Sequence, residues 1–298
     1  MFQPYLPTDF VTTWRTTGAN ESITLPLIAG HVHNFTVAWG DGSTSVVTAH
    51  NDADRIHTYA AAGDHTVVIT GTTGAWDFFV VSTSRLKIRD IRQWGTNPWD
   101  TFYETFYNCD NLVVSATDAP NLAAVTSCGY MFADSGASWR INPVGLAKWD
   151  MSNVTFVGAM FAGNAGFTGE GLGGWDTSNI FDFGEFASGC TAFVGAEVSS
   201  WDISGSNYIA GFALDCPLFT GEAVINWDVS GIEYAELFAT GITTANYDAI
   251  LNSWSQQSLQ PGTALDVGST NYTAAGADAR AIMVGAPNNW DITDGGLL

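Results

Sequence analysis

The sequence predicts a mainly β protein with short helices, in three parts. These are an antiparallel β-sandwich over residues 1–84, a β-solenoid of about six coils over 85–245, and a helical C-terminal cap over 246–298. Three observations carry this expectation. Short runs rich in Val, Ile and Thr, broken by Gly and Asp, fill residues 9–82. The pattern Trp-Asp-x-Ser then recurs at Trp149, Trp175, Trp201 and Trp227, each 26 residues from the last. The period stops near 245, where apolar residues take up helical spacing.

The first part rests on strand signals. FVTTW, SITLPL, HNFTVAWGDG, STSVVTAH and HTVVITG are short, β-branched and closed by turn residues, as in a small sandwich. Asp41-Gly42 ends one strand in a tight turn, because Gly tolerates the positive φ that such turns demand. Trp39–Gly42, His57, Tyr59, Gly63 and Val67–Ile69 together resemble the PKD-type immunoglobulin-like domain, with its Trp-Gly-Asp-Gly turn, His-x-Tyr and closing strand. The resemblance implies structural roles for these residues, in a domain that serves as spacer or binding module outside cells or on particles. All five His (His31, His33, His50, His57, His65) fall in this part. His31 and His33 would share a strand face as a metal pair, but no third ligand has a convincing spacing.

The segment RLKIRDIRQW, residues 85–94, reads as a strand with Arg85, Lys87 and Arg89 on one face. That face is either a solvated junction, a mate for the acidic second part, or a contact with a partner.

Beyond it the repeat is written in columns. Phe161, Phe186, Phe212 and Phe238 follow the four Trp, and Phe132 and Phe106 extend the column backward. A further column is Leu112, Trp139, Phe167, Phe193 and Phe219. One unit of 26 residues cannot close a core, so units must stack and place equivalent side chains above one another. The Asp-x-Ser-Asn-Val-Thr run is expected as a strand of a parallel sheet, FVGAMF as a helical turn, and the Gly-rich AGNAGF and SGCTAF as return turns. A unit of this length suits a leucine-rich-repeat-like solenoid and is too short for a four-stranded propeller blade, which takes about 40 residues. Cys109, Asn164, Cys190 and Cys216 stand three residues before the last column, with Gly136 in that place in the second coil. A small polar ladder there would satisfy backbone groups inside the coil. Cys190 and Cys216 would then be neighbours, either bonded or, by preference, free and buried. WDMSNVTFVGAMFAGNAGF and WDTSNIFDFGEFASGCTAF resemble the BspA-like leucine-rich-repeat surface-protein family, with Trp149–Thr155, Met160, Phe161 and Phe167 matching best. FVTTW, the WGDG turn and WDITDGG (290–296) occur together in that family too. The resemblance implies adhesion or a structural role, on bacterial surfaces or among phage-encoded particle proteins, with no assigned chemistry.

In NYDAILNSWSQQ, Tyr247, Ile250, Leu251 and Trp254 have helical spacing, and GADARAIMVG is a second candidate helix. Both are expected to cover the open end of the stack.

Charge narrows the function. The net charge is −21, and residues 93–298 carry 22 acidic side chains against three basic ones, Arg140, Lys148 and Arg280. Such a surface repels nucleic acid and anionic membranes. No apolar run is long enough to span a bilayer, and the N-terminus lacks the basic and apolar regions of a secretory signal. Asp150, Asp176, Asp202 and Asp228 are the best array for chemistry. They are read first as caps of their own turns, then as a Ca²⁺ site, and last as an acid–base pair, since catalysis needs carboxylates in unlike environments. The Trp column is core if it faces inward and a sugar-stacking platform if it faces outward. No nucleophile elbow, P-loop or HExxH motif is present, so no enzyme and no cofactor is expected. The expected function is that of a non-enzymatic phage virion protein: a tail fibre, spike or head decoration, homo-oligomeric, contacting other virion proteins and a host-surface glycan or protein. Alternatives are a bacterial adhesin ectodomain and a carbohydrate- or calcium-dependent binding module.

Overall fold

The computed structural model describes residues 5–135, 141–237 and 241–298. Gly136, Trp139, Arg140 and Phe238 lie outside them. The described chain is mainly β with a few short helices.

Strands β1 (Phe10–Thr16), β2 (Glu21–Thr24), β3 (His33–Ala38), β4 (Thr44–Val47), β5 (Ile56–Tyr59), β6 (Gly63–Thr73), β7 (Ile88–Gln93) and β8 (Val113–Val114) form two sheets. One has the order β4-β3-β6-β1-β7-β8, and the other pairs β2 with β5. β3 alternates buried and solvent-facing residues, the period of a half-buried strand. Trp14, Phe35, Val37 and Val67 of the large sheet share one buried core with Ile23 and Tyr59 of the small one. The Tyr59 hydroxyl donates to the Trp39 carbonyl at 2.8 Å, tying the small sheet to the turn that follows β3. In that turn Gly40 has φ +85°, and a Cβ on it would stand 2.6 Å from the Thr66 carbonyl oxygen. Only Gly fits there.

β7 is shared. It pairs antiparallel with β1 and parallel with β8, so the first part of the chain continues into the repeat through one sheet. The strand begins at Ile88, and Arg85 and Lys87 lie in the turn before it. The three bases therefore do not form one strand face.

Through the repeat, successive rungs are bonded in parallel. Bridges run from Ser127 to Phe156, Asp182, Tyr208 and Tyr234 in turn. These residues come after the Trp-Asp-x-Ser segment, which is itself a turn and not the expected strand. The FVGAMF segment also differs from expectation: it is a run of tight turns, not helix. The Val157, Ala159, Phe161 and Gly163 amides donate to the next rung, at Asp182, Gly184, Phe186 and Ser188, over 2.7–3.2 Å. The intervening Met160, Ala162 and Asn164 amides close turns within their own rung. Every second amide thus stitches rungs together, which a helix could not do because it spends its amides internally. This geometry needs left-handed residues in pairs: Glu104 and Asn108, Tyr130 and Asp134, Ala159 and Gly163, Glu185 and Gly189, Gly211 and Asp215. Each non-glycine there costs roughly 1–2 kcal/mol, which the stacked rungs must offset.

The interior is a set of aromatic files. The ring centroids of Phe106, Phe132, Phe161, Phe186 and Phe212 follow one another at 5.5–5.7 Å. Phe167, Phe193 and Phe219 form a second file at 5.8–5.9 Å.

The segment expected to cover the end of the stack instead continues it. Strands β9 (Tyr234–Glu236), β10 (Ala264–Asp266) and β11 (Asp291–Thr293) pair in parallel, with Tyr234, Ala264 and Asp291 in register. Between them run α1 (Thr244–Trp254), capped by the Thr243 hydroxyl, and α2 (Ala274–Val284), capped by the Thr273 hydroxyl. α1 runs up to Trp254 in the place where earlier rungs carry short 3-10 helices, at Leu146–Lys148, Leu172–Gly174, Ala196–Ser200 and Glu222–Val224, ahead of their own Trp.

Candidate functional site

Each repeated Trp is buried, with 2–5% exposure for Trp149, Trp175, Trp201 and Trp227, so no sugar can stack on this column. Trp149 and Trp175 lie 6.5 Å apart and Trp175 and Trp201 5.9 Å apart, both stacked. The indole N–H of Trp175, Trp201 and Trp227 donates at 3.0 Å to the carbonyl of Leu146, Leu172 and Val198, in the rung before. Trp254 does the same to Val224 at 3.1 Å, and Trp290 to Gln260 at 2.8 Å. Each of these five rings is thus both filler and clamp, whereas the buried Trp149 indole N–H has no partner among the described residues.

The Asp column is exposed, and each carboxylate is occupied by its own turn. Asp150, Asp176 and Asp202 accept from the Ser152, Ser178 and Ser204 hydroxyls at 2.7 Å and from their amides at 3.0–3.2 Å. Asp228 accepts from the Ser230 amide at 3.0 Å. Hydrogen bonds from Ser152 and Ser204 lower the Asp150 and Asp202 carboxyls. This is the Asx-turn role, in which the side chain stands in for a backbone acceptor.

The polar ladder is present, with Ser135, Asn164, Cys190 and Cys216 in file; Gly136, expected in it, lies outside the described residues. The Ser135 hydroxyl donates to the Phe106 carbonyl, the Asn164 amide to Phe132 at 2.7 Å, the Cys190 thiol to Phe161 at 3.1 Å and the Cys216 thiol to Ala187 at 3.0 Å. Both thiols are free, and burial raises them, Cys216 to about 12. Neither is a nucleophile at neutral pH.

Ser43, His57 and Asp41 stand together in the first part, but their wiring is wrong for a relay. The Ser43 hydroxyl donates to Asp41 at 2.6 Å, and Asp41 meets the same ring nitrogen of His57, at 2.7 Å, that lies 3.4 Å from Ser43. A relay needs base and orienter on opposite ring nitrogens. Stacked on Trp39 at 4.9 Å, His57 instead braces the Trp39–Gly42 turn. His31 meets Asp100 at 3.0 Å and His33 meets the Ile28 carbonyl at 2.9 Å, so these two do not converge. Among the described residues no three His, Cys, Asp or Glu are grouped to hold a metal ion.

Of the basic segment, Lys87 is likewise engaged. Lys87 pairs with Glu21 at 2.9 Å and donates to the Ser22 carbonyl at 2.7 Å. The Arg89 guanidinium is partly buried, and its Nε is enclosed without an acceptor.

What sequence reasoning missed is an outer face. Tyr103, Phe181, Tyr208 and Tyr234 are 38–51% exposed, and Tyr130 and Phe156 are partly so. Ring centroids are 5.8 Å apart for Tyr103–Tyr130, 6.2 Å for Phe156–Phe181 and 5.7 Å for Tyr208–Tyr234. Carboxylates lie among the rings: Asp77, Glu104, Asp182, Glu185 and Glu236 all act on these phenols, which burial and then those charges push upward. A partial signal existed, since Phe156, Asp182, Tyr208 and Tyr234 are spaced by 26 residues, but mixed residue types hid the column; its earlier member is Ser127, 29 residues before Phe156, and Tyr130 shares instead the left-handed place of Ala159 and Glu185.

The carboxyls respond to pH in opposite senses. Burial raises Asp77, Glu104 and Asp182, with Asp77 adding to the effect on Glu104. The native state therefore takes up these protons before the unfolded chain does, and stability rises as pH falls from neutral. Glu21 is held down, from 4.5 to about 2, chiefly by Lys87. For Asp41, burial works upward, but the Ser43 and His57 hydrogen bonds win and hold it at about 2. Their contributions are present above the ordinary carboxyl values and vanish as pH falls toward about 2. Burial lowers His33 and His65, which works against the gain from the raised carboxyls as pH falls through the ordinary histidine value. Thermal melts are expected to fall steeply below about pH 4, as Glu21 and Asp41 take up protons. A Tm that stays level from about pH 5 to about pH 3 contradicts this assignment.

A family model described as "Mycoplasma protein of unknown function, DUF285" matches residues 135–254, less than half of the chain. The match covers the Trp-Asp-x-Ser rungs and ends at Trp254, inside the region that the structure adds to the stack. No curated protein and no solved structure matches.

Proposed function

We propose that this chain is a non-enzymatic structural and attachment protein of a phage particle: a PKD-like β-sandwich carrying a leucine-rich-repeat-like solenoid, mounted as a tail fibre, spike or head decoration. The observation that carries the reading is the use of the repeated residues. Trp, Asp-x-Ser and the Ser/Asn/Cys ladder each bind backbone of their own or the adjoining rung. What they build is a stiff shaft, and the outer aromatic face is left to meet a partner. Copies assembled on a symmetric particle would make the protein homo-oligomeric there. A bacterial cell-surface ectodomain is the second reading; the family matched over residues 135–254 is described as a Mycoplasma protein of unknown function, which is consistent with a bacterial source and says nothing of location. Immunogold electron microscopy of intact particles and of host cells separates the two. Regular labelling of particles is the expected result; labelling confined to the cell envelope overturns it in favour of the second.

A further inference from the structure

The rings of the outer face are fixed in place before any partner arrives. Phe156 lies on the bare backbone of two glycines: a Cβ at Gly129 would stand 2.1 Å from its Cε1, and one at Gly158 2.8 Å from its Cζ. Tyr208 lies on Gly184 in the same way, with a hypothetical Cβ at 2.5 Å from its Cε1. Rings bedded like this lose little freedom on binding, which favours their use as a contact surface. Glu104, Tyr130 and Glu185 occupy the left-handed place, with φ of 54–55°, that Ala159 and Gly211 take in the other rungs, so their side chains leave the stack at one repeated position.

The charge of the face selects the partner. Asp182 stands between Phe156 and Tyr208 in the bridged column, Glu104 and Glu185 hold the same left-handed place as Tyr130, and together with Asp77 and Glu236 they act on the phenols of the face. An anionic ligand is repelled. A neutral glycan could stack on the rings but would leave the carboxylates with no counter-charge. A cation satisfies both, by lying over a ring and pairing with a neighbouring carboxylate. Rungs repeat at a strand spacing of about 4.8 Å, so a partner that runs along the stack meets ring and carboxylate again at each step.

We propose that the face formed by Tyr103, Tyr130, Phe156, Phe181, Tyr208 and Tyr234 with Glu104, Asp182 and Glu185 docks an extended, Lys/Arg-rich polypeptide segment of another protein. The proposal deepens the attachment reading by naming the surface and the chemistry of what it grips. It is tested on the purified full-length chain in solution, so its failure is separate from that of the particle assignment.

The experiment is fluorescence anisotropy with a labelled peptide of alternating Lys and Ser, at low and at physiological salt. The chain is expected to bind it, and E104Q/E185Q and Y208A/Y234A are each expected to weaken binding by about tenfold. Thermal melts establish that each variant is folded. Asp150→Asn/Asp176→Asn removes equal charge from the turn column, where Asn still caps the turns, and should change binding less than about twofold. Should Y208A/Y234A lose its fold, Tyr208→Phe/Tyr234→Phe keeps the rings, and binding should be retained. The proposal is overturned if the peptide does not bind, if the Asp150/Asp176 control weakens binding as much as E104Q/E185Q, or if neutral oligosaccharides bind this face in a way that E104Q/E185Q leaves unchanged.

Discussion

Trp201→Ala is expected to destabilise the chain by about 3–5 kcal/mol, the range for removing a large buried aromatic. Trp201 is 5% exposed, stacks on Trp175 at 5.9 Å, meets Phe186 and Phe212 edge-on at 5.3 and 6.1 Å, and holds the Leu172 carbonyl through its indole N–H. Its loss opens a cavity between adjoining rungs and orphans an acceptor. Because a stack of repeats is stabilised by the contacts between neighbours, the damage should split the melt into two steps. Trp201→Phe separates the two effects: packing is largely kept, and the unpartnered carbonyl alone should cost about 1–3 kcal/mol. A W201A melt within about 1 kcal/mol of the parent contradicts the role assigned to the Trp file.

Asn164→Asp should be of similar severity, about 3–5 kcal/mol, for an electrostatic reason. Asn164 is 1% exposed, and its amide nitrogen donates to the carbonyls of Phe132 at 2.7 Å and Phe161 at 2.8 Å. A carboxylate there has only acceptors and faces two carbonyl oxygens. It must either stay charged and repelled or take a proton. Asn164→Asp should therefore recover part of its stability as pH falls, because its carboxyl would be raised in the native state. Asn164→Cys, the residue at this place in the next two rungs, should be far milder. A chain in which Asp and Cys substitutions are equally mild rules out the ladder.

The legible part of the fold was the part written in one residue type. Trp149, Trp175, Trp201 and Trp227 share one task, so they share one side chain and one spacing. The outer column has no such constraint: Phe156, Asp182, Tyr208 and Tyr234 need only pair backbone, and their side chains are free to differ. Period failed where a rung changed length. Phe132 and Phe161 are 29 residues apart, as are Ser135 and Asn164, so an even count does not reach Ser135, which holds the Phe106 carbonyl. α1 and α2 stretch the last rungs, so that Trp254 and Trp290 fall 27 and 36 residues after their predecessors while making the same indole hydrogen bond. FVGAMF was read as a helical turn because a six-residue apolar run has no period of its own; the inter-rung amide bonds decide it. The basic segment was misplaced as a strand face because the partner of Lys87, Glu21, is distant in sequence.

The central claim is that equivalent residues of successive rungs lie in register, each 26-residue unit held by the same bonds as its neighbours. Deleting residues 177–202 removes one whole unit and joins Trp175-Asp176 to Ile203, keeping every column intact. Deleting residues 177–189 removes half of that length and throws the columns out of register. Circular dichroism with thermal melting compares the two. The account predicts that the whole-unit deletion folds and melts cooperatively, a little below the parent, while the half-unit deletion does not fold. Equal behaviour of the two deletions contradicts it.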